Sequence, residues 1–237
     1  AGGGSRGGGG AGEAPPKFLA SRLQRLQRRL GAEELTYVSD GDRNGLCYKL
    51  GTGFGAHDWI NPATGPALRV TASSPASRSC DPKSLVAQTF RKEHCAGGRL
   101  RGAAGDDDVR PSFTLELIAG HQLLVNYYTL RVDGSMNFPR GWELLGSSGD
   151  GDGWHVLDAR RGDMCIQRAA QYASYAVKSA PPRCHFRRFR LVLTDAAVSP
   201  VSFNLCNVEL YGSVRSPPGL TPVLARLAKH RAAAPEA

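Results

Sequence analysis

Residues 113–130, FTLELIAGHQLLVNYYTL, contain two consecutive β-strand patterns separated by a short turn at Ala119-Gly120. Apolar and β-branched or aromatic residues dominate both runs, as they do in strands that face a core. Similar runs recur along the middle of the chain, and their spacing leaves no room for crossover helices. The predicted strands are Leu68–Ser73, Phe113–Ile118, Leu123–Leu130, Trp142–Ser147, Trp154–Asp158, Tyr172–Val177, Phe186–Thr194 and Leu205–Tyr211. The pattern predicts an all-β, eight-stranded jelly-roll β-sandwich.

The two ends of the chain differ in composition from this middle part. Residues 1–16 are rich in Gly and Ala, and we predict that they are disordered, because they have too little apolar surface to offset the entropy of ordering. Residues 17–36 are predicted to form a short amphipathic helix, which ends at Gly31, and a linker. We expect the helix to pack on the domain, with a basic membrane-surface helix as the alternative. The folded domain is predicted over 37–212, followed by a helical or disordered basic tail over 213–237.

The composition and the short motifs of the sequence indicate a cell compartment more clearly than they indicate a function. The formal net charge is +9 and the sequence pI is about 9.5, which favours acidic partners without identifying one. The sequence contains neither an apolar run long enough for a membrane span nor a secretory signal. Its six cysteines form no C-x-x-C pair, and no N-glycosylation sequon is present. We therefore predict reduced thiols and an intracellular protein in the cytoplasm, with the nucleus as the alternative.

Three short motifs are interpreted as turns and loops. Asp40–Gly45 (DGDRNG) matches the beginning of an EF-hand calcium loop, but the closing Glu is replaced by Gly51. Gly51–Gly55 lacks the lysine of a phosphate-binding P-loop. Arg161-Gly-Asp163 is an adhesion tripeptide that recurs often by chance.

Neither catalysis nor nucleic-acid binding is predicted. The six histidines lie singly, no nucleophile elbow is present, and Asp106-Asp-Asp108 reads as a solvated charge run. The segment Arg183–Arg190 mixes cations with aromatic residues, as single-strand binders do, but Phe186 and Phe189 fall on a predicted core strand. We predict no enzyme activity, no cofactor, no metal and no specific nucleic-acid partner.

Several segments together resemble the discoidin-like (coagulation factor 5/8 type C-like, galactose-binding-like) domains that are attached to plant and algal BTB/POZ proteins. They are DGDRNG at 40–45, GTG at 51–53, WINP at 59–62, VTASSP at 70–75 with Arg78 and Asp81-Pro82, NYYTLRVDGS at 126–135, FRLVLT at 189–194 and NLCNVELYG at 204–212. The resemblance covers about residues 37–212 and implies a galactose-binding-like jelly roll that holds its ligand on loops at one end. The strand Phe113–Ile118 and the Gly-Asp-rich insertion before it depart from the family pattern.

The matched segments give the predicted partner-binding residues: Trp59, Asn61, Arg78, Asp81, Arg131 and Asp133. They fall in segments between predicted strands that match the family, and loops on a rigid scaffold usually carry function. The alternative is structural, since Arg78 with Asp81, or Arg131 with Asp133, would form ion pairs that fix loops.

Two functions follow from these observations. The first is a non-catalytic intracellular module for protein–protein interaction. The resemblance implies recruitment of a substrate or partner in a BTB/cullin ubiquitin-ligase-type protein. The alternative is a carbohydrate-binding module, because extracellular relatives of this fold bind sugars on exposed aromatic residues.

Overall fold

The computed structural model describes residues 32–97, 110–149, 151, 153–179 and 184–216. The predicted disordered start, the amphipathic helix, most of the insertion before Ser112 and the tail beyond residue 216 lie outside the described residues. None of the helices within the described ranges is long and apolar enough to cross a bilayer.

The described chain is built almost entirely from strands. The strands are β1 (Ala32–Leu35), β2 (Leu68–Ala72), β3 (Cys95–Gly97), β4 (Ser112–Leu117), β5 (Gln122–Val132), β6 (Pro139–Ser147), β7 (His155–Arg160), β8 (Tyr172–Ala176), β9 (Arg188–Ala196) and β10 (Ser202–Arg215). One short α-helix, α1 (Leu46–Gly51), and two 3₁₀ helices, Pro62–Thr64 and Pro82–Val86, lie in the connections.

The strands form two antiparallel sheets. Sheet I has the order β1-β10-β5-β8, and β3 also pairs with β10. Sheet II has the order β2-β4-β9-β6-β7. The inner faces of both sheets supply one continuous core, in which Phe113, Tyr128, Trp142 and Phe203 are fully buried. The predicted β-sandwich is therefore confirmed.

All eight predicted strands are present, and β1 and β3 are additional. Both are short and lack the alternation that identified the other strands. They are strands because they pair with the long strand β10, and the sequence of a short segment does not report such pairing. The β10 strand continues to Arg215, three residues beyond the predicted end of the domain at Gly212.

Phe186 and Phe189 are both buried, although their spacing does not suit one face of a regular strand. Phe186 precedes β9 and bridges to Leu123 of sheet I, whereas Phe189 lies within β9 in sheet II. The chain therefore passes from one sheet to the other here, and this crossing explains the phase shift that the sequence shows.

Five cysteines have described side chains and none forms a disulfide within the described residues: Cys47, Cys80, Cys165, Cys184 and Cys206. Burial raises the pKa of the Cys47 thiol well above its usual value, and the charge of Glu209 acts in the same direction. This thiol is therefore an apolar packing group rather than a nucleophile.

Candidate functional site

The loops that follow β5, β7 and β9 meet at one end of the sandwich, which we call the loop end (residues 133–138, 161–171 and 197–201). The Ala170 N–H donates to the Asp133 carbonyl at 2.8 Å, so that two of these loops are joined through the backbone. Arg131 and Asp133, two of the predicted site residues, lie where β5 enters this end.

Asp133 is only 1% exposed and fixes the loops around it. Its carboxylate accepts hydrogen bonds from the backbone N–H of His94 at 3.0 Å, the backbone N–H of Ser135 at 2.9 Å and the Ser135 hydroxyl at 2.6 Å. The Asn204 amide adds a longer contact at 3.3 Å. A buried carboxylate with this many donors positions the loop end and has no free oxygen to offer a partner.

Arg131 is held between two aromatic rings rather than by Asp133. Its guanidinium carbon lies 4.7 Å from the centre of the Phe90 ring and 4.9 Å from that of Tyr172. Its Nε donates to the Ala170 carbonyl at 3.1 Å. The side chain is half-buried, and Phe90 beside it is exposed. This arrangement presents a cation in a fixed orientation at the edge of the loop end.

Asn61 and Asp81 are helix caps. The Asn61 side-chain oxygen accepts from the Ala63 N–H at 2.9 Å, and its amide donates to the Lys83 carbonyl at 2.8 Å. Asp81 caps the second 3₁₀ helix by accepting from the Lys83 N–H at 3.2 Å. Lys83 therefore connects the two caps, and together they fix the path of the chain on either side of β2.

Trp59 and Arg78, like Arg131, are predicted residues whose side chains are not used as caps or buried acceptors. Trp59 is half-buried and lies over Gly51, where an added Cβ would be 2.5 Å from the indole nitrogen. Arg78 is exposed, and among the described residues it forms no ion pair with Asp81. Neither of the two ion pairs considered from the sequence is therefore formed.

His94 lies beside Asp133, to which its backbone N–H donates. It is fully buried against Phe113, and neither ring nitrogen has a hydrogen-bond partner among the described residues. Burial, and then the charge of Arg91, lower the pKa of His94, whereas Asp81 and Asp133 act in the opposite direction. Burial therefore favours the neutral form of the imidazole.

Sequence reasoning missed the exposed apolar side chains of this region. Of the eight exposed large apolar side chains within the described ranges, five lie on the loop end or beside Arg131: Phe90, Met136, Met164, Val198 and Val201. Single apolar residues inside loops give no periodic signal, so only their exposure in the fold identifies them.

Asn137 makes this apolar surface rigid. Its side-chain oxygen accepts from the backbone N–H groups of Val198 at 3.0 Å and Ser199 at 2.8 Å. Its amide donates to the carbonyls of Ser199 at 3.0 Å and Ser202 at 2.9 Å. Asn137 thereby holds the loop with Met136 and the loop with Val198 together. Loops that are already ordered lose less conformational entropy when they bind a partner.

The calcium-like segment Asp40–Gly45 is a turn closed by its own hydrogen bonds. Asp42 accepts from the N–H groups of Val38 at 2.8 Å and Asn44 at 3.0 Å, and from the Tyr211 hydroxyl at 3.0 Å. Partial burial raises the pKa of Asp42, but the backbone hydrogen bonds outweigh it and the pKa is lower than usual. No group of three metal-ligating side chains occurs within the described residues.

Comparison with known proteins gives two sequence relatives, while no protein-family model matches. The chain is 39% identical over 205 residues to a BTB/POZ domain-containing protein of Arabidopsis thaliana, which covers 85% of this chain and 24% of the relative. It is 28% identical over 197 residues to an E3 ubiquitin-protein ligase of Caenorhabditis elegans, which covers 81% of this chain and 7% of that protein. The chain thus spans about a quarter of the first relative and less of the second.

Solved structures of similar shape are discoidin-type and carbohydrate-binding modules. One is an F5/8 type C domain from Bacteroides fragilis, with a TM-score of 0.47 and 10% identity over 62% of this chain and 91% of that one. Another is a family 32 carbohydrate-binding module from Clostridium perfringens in complex with galactose, with a TM-score of 0.43 and 10% identity over 61% and 93% of the two chains. The match to the plant protein confirms the resemblance to BTB/POZ-associated chains that the sequence indicated.

Proposed function

We propose that this chain is a non-catalytic, intracellular binding module that holds a protein partner on the loop end. The supporting observation is the set of exposed apolar side chains on loops that Asn137 and Asp133 fix in place. Exposed apolar patches on a rigid scaffold favour association with another protein.

The partner-binding role is divided among the predicted residues. Trp59, Arg78 and Arg131 contact the partner directly, because their side chains are exposed or half-buried. Asn61, Asp81 and Asp133 position the surrounding loops, since their polar atoms are already used within the domain. No cofactor is needed for this function.

We further propose that the module recruits a substrate or partner for a BTB/cullin ubiquitin-ligase-type protein. The support is the sequence similarity to a BTB/POZ domain-containing protein and to an E3 ubiquitin-protein ligase. The module would provide the recognition surface, while other parts of such an assembly would provide the ligase activity.

The test is affinity purification of the chain from extracts of its own cells, followed by quantitative mass spectrometry. We expect ubiquitin-ligase components to co-purify, and the double variant Met136→Asp/Val198→Asp to reduce their recovery by about tenfold, since hot-spot residues carry most of the binding energy. Val38→Asp is the matched control, because Val38 is 69% exposed and Val198 is 72% exposed, but Val38 lies outside the loop end.

Three outcomes would contradict the proposal. Ligase components could be missing from the wild-type sample, or the control variant could lose them as completely as the double variant. The third is glycan-array binding that disappears with Trp59→Ala, which would favour the carbohydrate-binding alternative instead.

A further inference from the structure

The strand register places Arg131 in the middle of a row on the outer face of sheet I, where β5 meets the loop end. Asn207 of β10 lies on one side of it and Tyr172 of β8 on the other. All three residues are half-buried. The backbone of a sheet, rather than a loop, therefore positions this cation.

The segment that carries Phe90 is fixed against this row. The Asn207 amide donates to the Ala87 carbonyl at 3.1 Å, and the Gly134 N–H donates to the Lys92 carbonyl at 2.5 Å. A side chain at 134 would prevent the second bond, because an added Cβ would lie 2.7 Å from that carbonyl oxygen. Phe90 thus reaches the guanidinium from a segment that is bonded on both sides of it.

The contacts of Arg131 leave much of its guanidinium for a ligand. Phe90 and Tyr172 pack against it, and the Ala170 carbonyl accepts from Nε at 3.1 Å. The Tyr172 hydroxyl also interacts with it, since Arg131 lowers the pKa of Tyr172 against the larger effect of burial. An arginine has more N–H groups than these contacts occupy, and its terminal nitrogens form a fork that matches the two oxygens of a carboxylate.

No carboxylate within the described ranges forms an ion pair with Arg131. Two acidic side chains of this region are directed at other donors. Asp133 is bonded to N–H and hydroxyl groups of the loops around it, and Asp40 accepts from the hydroxyls of Tyr37 and Ser174. The fold therefore holds a cation in place without supplying its counterion from the described chain.

An apolar surface adjoins this cation. Phe90 is 42% exposed, although its ring contacts the guanidinium. A carboxylate bound by the fork brings the groups next to it against this ring, where burial of apolar surface adds to the ion pair. A phosphate dianion is usually held by a cluster of arginines, whereas no second guanidinium stacks on Phe90 or Tyr172 among the described residues. The site therefore suits a carboxylate.

The geometry of an extended chain determines which two side chains can reach the fork and the ring together. Side chains two positions apart turn to the same side of such a chain and lie roughly 7 Å apart, while the residue between them turns away. The Phe90 ring centre is 4.7 Å from the guanidinium carbon, and a bound carboxylate lies beyond that carbon. An acidic and an apolar residue with one residue between them fit this spacing.

We propose that Arg131 binds the carboxylate of an Asp or Glu in an extended segment of the partner protein, and that an apolar residue two positions away packs on Phe90. This inference deepens the proposed function and rests on it, because it names the chemistry of the partner held at the loop end. The role of Arg131 depends on the shape of its fork as well as on its charge.

The experiment is an NMR titration of the full 237-residue chain, isotope-labelled, that follows its backbone signals and the Nε–H signal of Arg131. The probe is a short blocked peptide with one Glu-Ser-Leu sequence, and the comparison peptides contain Gln-Ser-Leu, Glu-Leu-Ser or phosphoserine-Ser-Leu. We expect Glu-Ser-Leu to bind about tenfold tighter than Gln-Ser-Leu, because hydrogen bonds between charged groups are stronger. Glu-Leu-Ser should also bind more weakly, because its Leu turns away from Phe90.

Two variants test the two contacts separately. Arg131→Lys keeps the charge but removes the planar fork, and it should weaken Glu-Ser-Leu binding by about tenfold. Phe90→Ser removes the apolar contact and should reduce the preference for Glu-Ser-Leu over Glu-Leu-Ser. It changes an exposed side chain, so that it remains informative if thermal unfolding shows that Arg131→Lys does not fold.

The matched control is Arg168→Lys, which changes an exposed arginine on the same loop end. It should bind Glu-Ser-Leu within about twofold of wild type, since an exposed cation that keeps its charge contributes little to a site it does not touch.

The outcomes separate this inference from the proposed function. Glu-Ser-Leu binding that depends on Arg131 and Phe90 supports it, even where no ligase component co-purifies. It is overturned by the absence of any signal shift, by equal binding of Gln-Ser-Leu, by tighter binding of the phosphoserine peptide or by an equal loss in the control variant. Ligase components that Met136→Asp/Val198→Asp loses and Arg131→Lys retains would leave the proposed function standing and remove this inference.

Discussion

The outer faces of the two sheets are both polar in sequence, but within the described residues one face is covered and the other is more open. Over sheet I, residues 37–51 bury Glu209, Thr129 and Tyr211, which are 6%, 1% and 0% exposed. On sheet II, the side chain of Arg69 remains 65% exposed. Strand alternation alone therefore does not distinguish a polar side chain that supports the fold from one that meets a partner.

Glu209 shows how the covered face is held. Its carboxylate accepts from the N–H groups of Cys47 at 2.6 Å and Tyr48 at 3.0 Å, at the beginning of α1. Gly45 allows this approach, since an added Cβ would lie 1.9 Å from Cγ of Glu209. Burial raises the pKa of Glu209 to about 7, although these N–H groups favour the charged form.

The largest effect should come from removing the central ring under the cover. Tyr211→Ala should lower the free energy of unfolding by about 3–5 kcal/mol, because a fully buried aromatic side chain is lost. Tyr211 contacts Tyr37 edge to face, with 5.5 Å between ring centres, and its hydroxyl donates to Asp42. Tyr211→Phe is the control and should cost about 1 kcal/mol, the value of one hydrogen bond. Chemical denaturation measures both, and equal losses in the two variants would show that ring packing does not hold the cover.

A smaller effect should appear as pH dependence on the covered face. The folded-state pKa of Glu209, about 7, lies above its usual value of 4.5. The contribution of Glu209 to stability should therefore be fully present below about pH 4.5 and be lost as pH rises through about 7. Denaturation across this range should show a decline in wild type that Glu209→Gln lacks. Parallel pH profiles for the two proteins would contradict the assignment.

The smallest effect should come from the open face. Arg69→Gln removes an ion pair with Glu116 at 3.1 Å, but the arginine is mostly exposed. We expect the free energy of unfolding to fall by less than about 0.5 kcal/mol in denaturation experiments, because water and salt already screen such a pair. A loss as large as that of Tyr211→Ala would mean that the open face is as important for folding as the covered one.

The predicted strands were found because each has its own apolar pattern, as in Phe113–Ile118, which became β4. The 3₁₀ helix Pro82–Val86 likewise has a local signal, because Asp81 caps it and Pro82 stands at its beginning. The helix α1 was missed because its cap is a glycine without a side-chain hydrogen bond, and its N–H groups find Glu209, which is more than 160 positions away. Local propensity cannot report a partner at that distance.

The candidate site was only partly predictable for the same reason. The sequence placed Arg131 and Asp133 at a strand end, and an ion pair between them was a reasonable alternative. The structure separates their roles, with Arg131 between Phe90 and Tyr172 and Asp133 buried among donors from other loops. The rings and donors come from segments far apart in sequence, so the role of each charge depends on the fold.

The amino-acid sequence was sufficient to establish the all-β class, the eight main strands and the resemblance to BTB/POZ-associated chains, because these depend on local alternation and short motifs. Tertiary structure was needed to show which polar face is covered, which apolar loop residues remain exposed and which rings hold Arg131. Those properties arise from contacts between strands and loops far apart in the chain, and burial decides whether a charged side chain stabilises the fold or stays available to a partner.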